Sequence, residues 1–153
     1  MEERSLAGFM KPNKIVKQNI FYAASKSFVD AENEPLLWEM KPLTSDEDAA
    51  LRAECYKQVP ILSKNGKPLR GQTRSEFQPE VYTSKLAVAT VVFPDLLDTS
   101  LQDSYGVKKP VDLLQKMLDP GELTDLKAKS QEICGFSLEE DDKEEQLVED
   151  AKN

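Results

Sequence analysis

The sequence predicts an α+β fold: a mainly helical single domain with an N-terminal β-hairpin packed on a helical bundle. Residues 84–136 hold helix starts, helix stops and apolar positions at helical spacing in close succession, which predicts a bundle of helices. Residues 19–43 hold two short runs of β-forming side chains separated by a turn-like cluster, which predicts a hairpin. The length of 153 residues suits one domain. We expect a flexible arm at 1–18, a globular domain at 19–137 and an acidic, disordered segment at 138–153.

The predicted hairpin joins a strand at residues 19–29 to a strand at residues 35–43 through the polar turn 30–34. Alternate residues of a strand point to the same face, and we expect the buried set to be Leu36, Trp38 and Met40. A lone hairpin is marginally stable in water, so this one must pack on helices or gain further strands.

A capping box predicts the first helix. Thr44 at the N-cap and Glu47 three residues later satisfy the free backbone N–H groups at a helix start. We expect this helix to run to Val59, because Pro60 disfavours the helical conformation of the residue before it.

A central helix is predicted from Phe77 to Phe93, with Pro94 as its stop. Its apolar residues cover most sides in the second half, which is typical of a buried helix. The β-branched residues leave a strand at Val88–Phe93 as an alternative, but the alanines among them favour the helix. The positions expected to be buried are Phe77, Val81, Leu86, Val88, Ala89, Val92 and Phe93.

Three more helices follow, each with a recognisable start. Asp98 caps a short helix, and Gly106 can adopt the positive φ that ends it. Pro110 suits the first position of the next helix. Asp119 caps the last one, which presents one apolar face and ends at Gly135.

Residues 60–74 allow two interpretations. The pair Asn65-Gly66 is a strong hairpin signal, but Pro60 and Pro68 disfavour central strands, and we favour a mobile loop over a hairpin. The segment is basic, with no acidic residue between Glu54 and Glu76. It is either an anionic contact site or a solvated loop, and we favour the solvated loop.

The net charge of −8 is carried mainly by the end of the chain. Residues 138–153 contain eight acidic and two basic residues, whereas residues 1–137 contain 20 acidic and 18 basic ones. This distribution gives no support for nucleic-acid binding, which usually needs a basic face. Disorder is expected for the acidic segment, with a short helix on a partner as the alternative. Its apolar residues are our candidate partner contacts: Leu138, Leu147 and Val148.

Catalysis and cofactor binding find no support. The chain has no histidine, no phosphate-binding glycine motif and no nucleophile elbow, so we expect no enzyme activity, no catalytic residue, no metal and no cofactor.

Cys55 and Cys134 fall on apolar stripes and are expected to be buried free thiols. No apolar run is long enough to span a bilayer, and the N-terminus does not read as a signal peptide, so we expect a soluble intracellular protein without membrane contacts. We expect the apolar residues of the arm to form one helical turn that packs on the globular domain; these residues are Leu6, Phe9 and Met10.

The order and spacing of several segments within 84–136 carry a family resemblance. These segments are Lys85-Leu86-Ala87-Val88, Phe93-Pro94-Asp95, Leu101-Gln102-Asp103-Ser104-Tyr105-Gly106-Val107, Pro120-Gly121-Glu122-Leu123 and Gln131-Glu132-Ile133-Cys134-Gly135-Phe136. In them the chain resembles the XkdN-like tail assembly chaperones of phages and of prophage-like elements in Gram-positive bacteria. The passage from Phe28 to Cys55 fits the same family more loosely.

The resemblance implies a chaperone that binds the phage tape measure protein and keeps it soluble during tail assembly. It further implies the bacterial host cytoplasm as location, absence from the mature virion, and the tail tube protein and a second copy of the chain as additional partners. The family supplies no catalytic residues to transfer. The alternatives are a structural tail component retained in the particle and a non-enzymatic regulatory binding module.

Overall fold

A computed structural model describes residues 4–137, and within them five strands and five helices form an α+β fold. The strands are β1 (Ile20–Tyr22), β2 (Trp38–Met40), β3 (Tyr56–Leu62), β4 (Pro68–Phe77) and β5 (Val91–Phe93). The helices are α1 (Ser45–Ala53), α2 (Pro79–Thr90), α3 (Thr99–Ser104), α4 (Pro110–Met117) and α5 (Pro120–Ile133).

Strands β1 and β2 pair antiparallel, and β5 adds a third strand to form a three-stranded sheet. Its strand order is β1-β2-β5, with β2 in the middle. Trp38 and Met40 of β2 are buried as predicted, but Leu36 precedes the strand and is half exposed. The predicted strands were too long, because only three residues of each form the continuous ladder, and Val29 and Pro35 add one isolated bridge.

The third strand corrects the prediction for the central helix. α2 ends at Thr90, and residues 91–93 are extended and pair with β2, with Val91 opposite Met40. The β-branched residues that left a strand as the alternative thus form one, because a neighbouring strand offers them hydrogen-bond partners. Phe93, expected to be buried, lies largely in solvent.

Helix α2 separates two groups of buried side chains. Ala87 belongs to the larger core, and Tyr82 and Leu86 belong to a smaller one with Cys55. Because α2 packs against α5 and α4 as well as α1, its apolar residues lie on several sides. The larger core contains Ala24, Trp38, Met40, Ala87, Leu96, Leu113, Leu114, Leu118 and Leu126.

The segment after α1 is a β-hairpin, so the prediction of a mobile loop is wrong, as is the extension of the first helix to Val59. β3 and β4 pair antiparallel from Tyr56 opposite Phe77 to Leu62 opposite Pro68. Both strands of a two-stranded ribbon are edge strands, where proline is tolerated, and Pro68 is the first residue of its strand.

The turn of this hairpin depends on Gly66. The Gly66 N–H donates to the Ser63 carbonyl and the Ser63 N–H donates to the Lys67 carbonyl, which closes the loop. Gly66 has a φ of 78°, which a residue without a Cβ adopts at little cost. The Asn65-Gly66 signal was therefore the correct guide.

The predicted helix ends are confirmed where local chemistry sets them. Thr44 and Glu47 form the capping box of α1, and the Asp98 carboxylate accepts from the Leu101 N–H at the start of α3. Gly135 has a φ of 91°, and the Phe136 N–H donates to the Gln131 carbonyl in the pattern that closes many helices.

The N-terminal arm lies away from the core. Two short 3₁₀ turns occupy Ala7–Phe9 and Lys11–Asn13. The expected turn forms, but it does not dock, because Leu6, Phe9 and Met10 are 76%, 88% and 55% exposed.

We predict that Leu126→Ala lowers the free energy of unfolding by about 3 kcal/mol, because Leu126 is completely buried and its removal leaves a cavity. Leu97→Ala is the matched control, since Leu97 is 73% exposed and should change stability by less than about 0.5 kcal/mol. Urea denaturation of both variants measures the difference, and equal losses would contradict the assignment of the core.

Candidate interaction surfaces

One guanidinium group connects α1, α2, the base of the β3–β4 hairpin and the end of α5. Arg52 Nε donates to Asp48 Oδ2 at 2.8 Å, and Arg52 Nη2 donates to the Tyr82 hydroxyl at 3.2 Å. Its Cζ lies 4.2 Å from the Tyr82 ring centroid, 5.8 Å from that of Phe77 and 5.9 Å from that of Phe136. We call Asp48, Arg52, Phe77, Tyr82 and Phe136 the arginine cluster.

Proton affinities in the arginine cluster follow from this geometry. Burial and the hydrogen bond to Asp48 raise the pKa of Tyr82 to about 12. Burial alone would raise the pKa of Asp48, but the hydrogen bonds from Tyr82 and Arg52 outweigh it and lower that pKa. The phenol therefore stays protonated and donates to the carboxylate, which fixes α1 on α2.

Glu122 fixes the connection between β1 and β2 on helix α5. Its carboxylate accepts from the Asp119 N–H at 3.0 Å, the Ser25 hydroxyl at 3.1 Å and the Lys26 N–H at 3.1 Å. The hydrogen bond from the Asp119 backbone, followed by those from Lys26 and Ser25, lowers the pKa of Glu122. One side chain thus caps its own helix and orients the three-stranded sheet.

The outer face of this sheet presents two aromatic rings to solvent. Phe21 of β1 lies opposite Glu39 of β2, and Glu39 lies opposite Phe93 of β5, so the three residues form one row across the sheet. Both rings are 64% exposed, while neighbouring Trp38 and Met40 point into the core. We call Phe21, Glu39 and Phe93 the aromatic row.

Sequence reasoning missed the aromatic row. Phe21 alternates with the half-buried Ile20 and Tyr22, so strand parity could have placed it on the outer face. Phe93 could not be placed in this way, because it was assigned to a helix and the pairing with β2 is irregular between Glu39 and Met40.

The β3–β4 hairpin is a second exposed surface, and it is basic. Its backbone contacts are mainly between its own two strands. Residues 56–75 hold five basic and no acidic side chains, and the basic ones are exposed: Lys57, Lys64, Lys67, Arg70 and Arg74. We call residues 56–77 the basic hairpin.

The cysteines are free, as predicted. Cys55 is buried, its thiol donates to the Leu51 carbonyl, and burial raises its pKa. Cys134 is half buried, and its sulfur accepts from the Leu43 N–H. Both cysteines pack in the smaller core.

The candidate contacts Leu138, Leu147 and Val148 lie outside the described residues. Within residues 4–137, no group of three metal-ligating side chains is placed to hold a metal ion. None of the helices described is both long and apolar enough to cross a membrane.

These features define a small α+β module whose exposed aromatic, apolar and basic surfaces suit protein binding. Comparison with known proteins then places it: a model of the phage XkdN-like tail assembly chaperone proteins matches residues 6–152, and the chain belongs to that family. The membership supports a role in phage tail assembly; the family consists of chaperone-type assembly proteins and is not known as an enzyme family.

Two proteins of Bacillus subtilis strain 168 are similar over nearly the whole chain. The phage-like element PBSX protein XkdN is 28% identical over 150 residues, and the protein YqbN is 30% identical over 152 residues. Each comparison covers 97% of this chain and 93% of the relative. The crystal structure of YqbN superposes with a TM-score of 0.69 at 24% identity, covering 89% of this chain and all of the other, which supports the fold.

We predict that Tyr82→Phe lowers the free energy of unfolding by about 1 kcal/mol at neutral pH, because it removes the hydrogen bonds of the hydroxyl. Since the folded pKa of about 12 exceeds the ordinary tyrosine pKa of 10.0, the wild-type phenol stabilises the fold fully below pH 10. That contribution falls as pH rises from 10 towards 12. Urea unfolding at pH 9 and 11 should show the wild type losing about 1 kcal/mol more than Tyr82→Phe. An equal loss in both would contradict the proposed proton affinity.

Proposed function

We propose that this protein binds the phage tape measure protein in the cytoplasm of the bacterial host and keeps it soluble during tail assembly. The observation that carries the proposal is the aromatic row, which leaves two phenylalanine rings 64% exposed on a chain of the tail assembly chaperone family. Exposed apolar side chains grouped on one face mark protein interaction sites, so the two rings point to a partner.

The aromatic row suits an apolar helix face. Aromatic side chains dominate the energetics of many interfaces, and amphipathic helices dock through apolar residues spaced along one face. Glu39 lies between the two rings, so a basic side chain on the same helix face would pair with it. A tape measure segment with apolar residues flanking a lysine or arginine is the partner we propose.

A chaperone that must later leave should bind each segment weakly. Truncating a central aromatic side chain commonly costs about 2 kcal/mol of binding free energy, so two rings contribute about 4 kcal/mol, which alone corresponds to roughly millimolar affinity. Many copies along one long partner then raise the total affinity through multivalency. Displacement by polymerising tail tube subunits is possible because each copy dissociates readily.

Two further parts of the chain belong to this proposal. The arm exposes Ile15 and Val16, 89% and 77% accessible, beyond the 3₁₀ turns. Neighbouring copies on one tape measure protein would lie side by side, so we assign the arm to self-association and to contacts with the tail tube protein. Leu138, Leu147 and Val148 of the acidic segment remain our candidates for additional partner contacts.

We predict that the double variant Phe21→Glu with Phe93→Glu lowers the affinity for the tape measure protein by a factor on the order of 1,000, since the loss of two aromatic contacts at about 2 kcal/mol each amounts to about 4 kcal/mol. Co-expression in a bacterial host should then leave the tape measure protein in the insoluble fraction. The matched control is Val29→Glu with Val81→Glu, two partly exposed valines outside the sheet. Wild-type solubilisation by the aromatic-row variant would refute the assigned surface.

We predict that purified finished tails lack this protein, because a chaperone leaves before the particle is complete. Mass spectrometry of tails and of assembly intermediates measures this directly, with peptides from residues 84–136 as reporters. Stoichiometric amounts in finished tails would instead indicate a structural component retained in the particle.

A further inference from the structure

The five basic side chains of the basic hairpin have no role in the packing described above or in the proposed contact with the tape measure protein. These five cations carry no ion pair within residues 4–137, where the ion pairs are Asp48 with Arg52, Glu54 with Lys85 and Lys129 with Glu132. Lys57 has Glu76 opposite it in the ladder, and the other cations have no carboxylate across from them among the paired positions. Outside residues 56–77, residues 1–137 hold 19 acidic and 13 basic residues, so the hairpin concentrates the positive charge.

The described chain ends beside the base of this hairpin. Phe136 lies with its ring centroid 5.9 Å from Arg52 Cζ, and Phe77, the last residue of β4, lies 5.8 Å from the same atom. The described chain therefore ends close to where the basic strands leave the body, and the 16 residues that follow in the sequence hold eight acidic and two basic side chains.

We propose that the acidic segment 138–153 binds along the basic hairpin of its own chain. A chain of 16 residues spans at most roughly 55 Å, which exceeds the roughly 33 Å length of the ten-residue strand β4. The segment can therefore follow the hairpin from its base to the turn at Gly66. The site takes an acidic peptide, and the adjacent segment is its occupant.

Attachment to the same chain raises the occupancy of this contact although each ion pair is weak. Exposed ion pairs are individually weak because water and salt screen them. A short linker gives an effective concentration in the millimolar range, so several weak pairs suffice for high occupancy. The contact should weaken steeply with salt, since the Debye length falls from about 10 Å at 0.1 M to about 3 Å at 1 M.

The consequence is a masked cationic surface. A free hairpin with five cations would attract nucleic acid and other polyanions in a sequence-independent manner. The bound acidic segment neutralises these charges and keeps the hairpin away from such ligands. This role is independent of the tape measure protein, so the two proposals can fail separately.

Carbodiimide cross-linking of the full-length protein tests the contact, because it joins lysine amines to carboxylates that touch them. The hairpin lysines are Lys57, Lys64 and Lys67, and the matched exposed lysines of the helical body are Lys108, Lys109 and Lys116. We expect residues 139–150 to cross-link to the first set about tenfold more than to the second at low salt, and the difference to vanish near 1 M salt. An equal mixture of light and ¹⁵N-labelled protein distinguishes cross-links within a chain from those between chains.

Two results would overturn the proposal. Equal yields for both lysine sets would show that the acidic segment does not select the hairpin, which would leave that site to an external acidic partner. Cross-links that join light to heavy chains would show that the occupant is the acidic segment of a second copy.

Charge reversal provides a second, independent measurement by NMR. Lys64→Glu with Lys67→Glu and Arg70→Glu should move the backbone amide signals of residues 139–150 as high salt does in the wild type. Lys108→Glu with Lys109→Glu and Lys116→Glu changes the net charge equally and should leave those signals in place. Identical spectra for the acidic segment in the two triple variants would contradict the proposal.

Discussion

The arrangement of the domain depends on the guanidinium group of Arg52. It pairs with Asp48 within α1, donates to Tyr82 of α2 and lies near the rings of Phe77 and Phe136. The side chain of Arg52 is 40% exposed, so its ion pair alone contributes little, and the stacked rings supply the rest of the attraction. This group thereby holds the base of the basic hairpin, at Phe77, near the end of the described chain, at Phe136.

The structural elements on the two sides of α2 support two different exposed surfaces. On the side of the larger core, α4 and α5 support the three-stranded sheet, and Glu122 holds the β1–β2 connection in place. The aromatic row lies on the outer face of that sheet, so its two rings sit on a rigid support. On the other side, the arginine cluster supports the basic hairpin. An apolar contact surface and a charged one are thus built on separate parts of one small fold.

Sequence reasoning succeeded where the determinants are local. The pairing of Asp119 with Glu122 and the positive φ of Gly135 act within a few residues, and the helix they delimit was predicted closely. It failed where partners are distant, because Val91 becomes a strand only through Met40, 51 residues earlier. The aromatic row needs three such strands, so it could not be found before the fold was known. The sequence showed the basic charge of the hairpin but not its two strands. Proline disfavours central strands, and the sequence does not show that both of these strands are edge strands.

The central claim is that the aromatic row is the surface that meets the tape measure protein. Hydroxyl-radical footprinting of the full-length protein, alone and in complex with the tape measure protein, tests it most directly. We expect oxidation of Phe21 and Phe93 to fall several-fold in the complex, while exposed Tyr56 on the hairpin reacts as before. Unchanged oxidation of both phenylalanines, with protection elsewhere on the molecule, would contradict it.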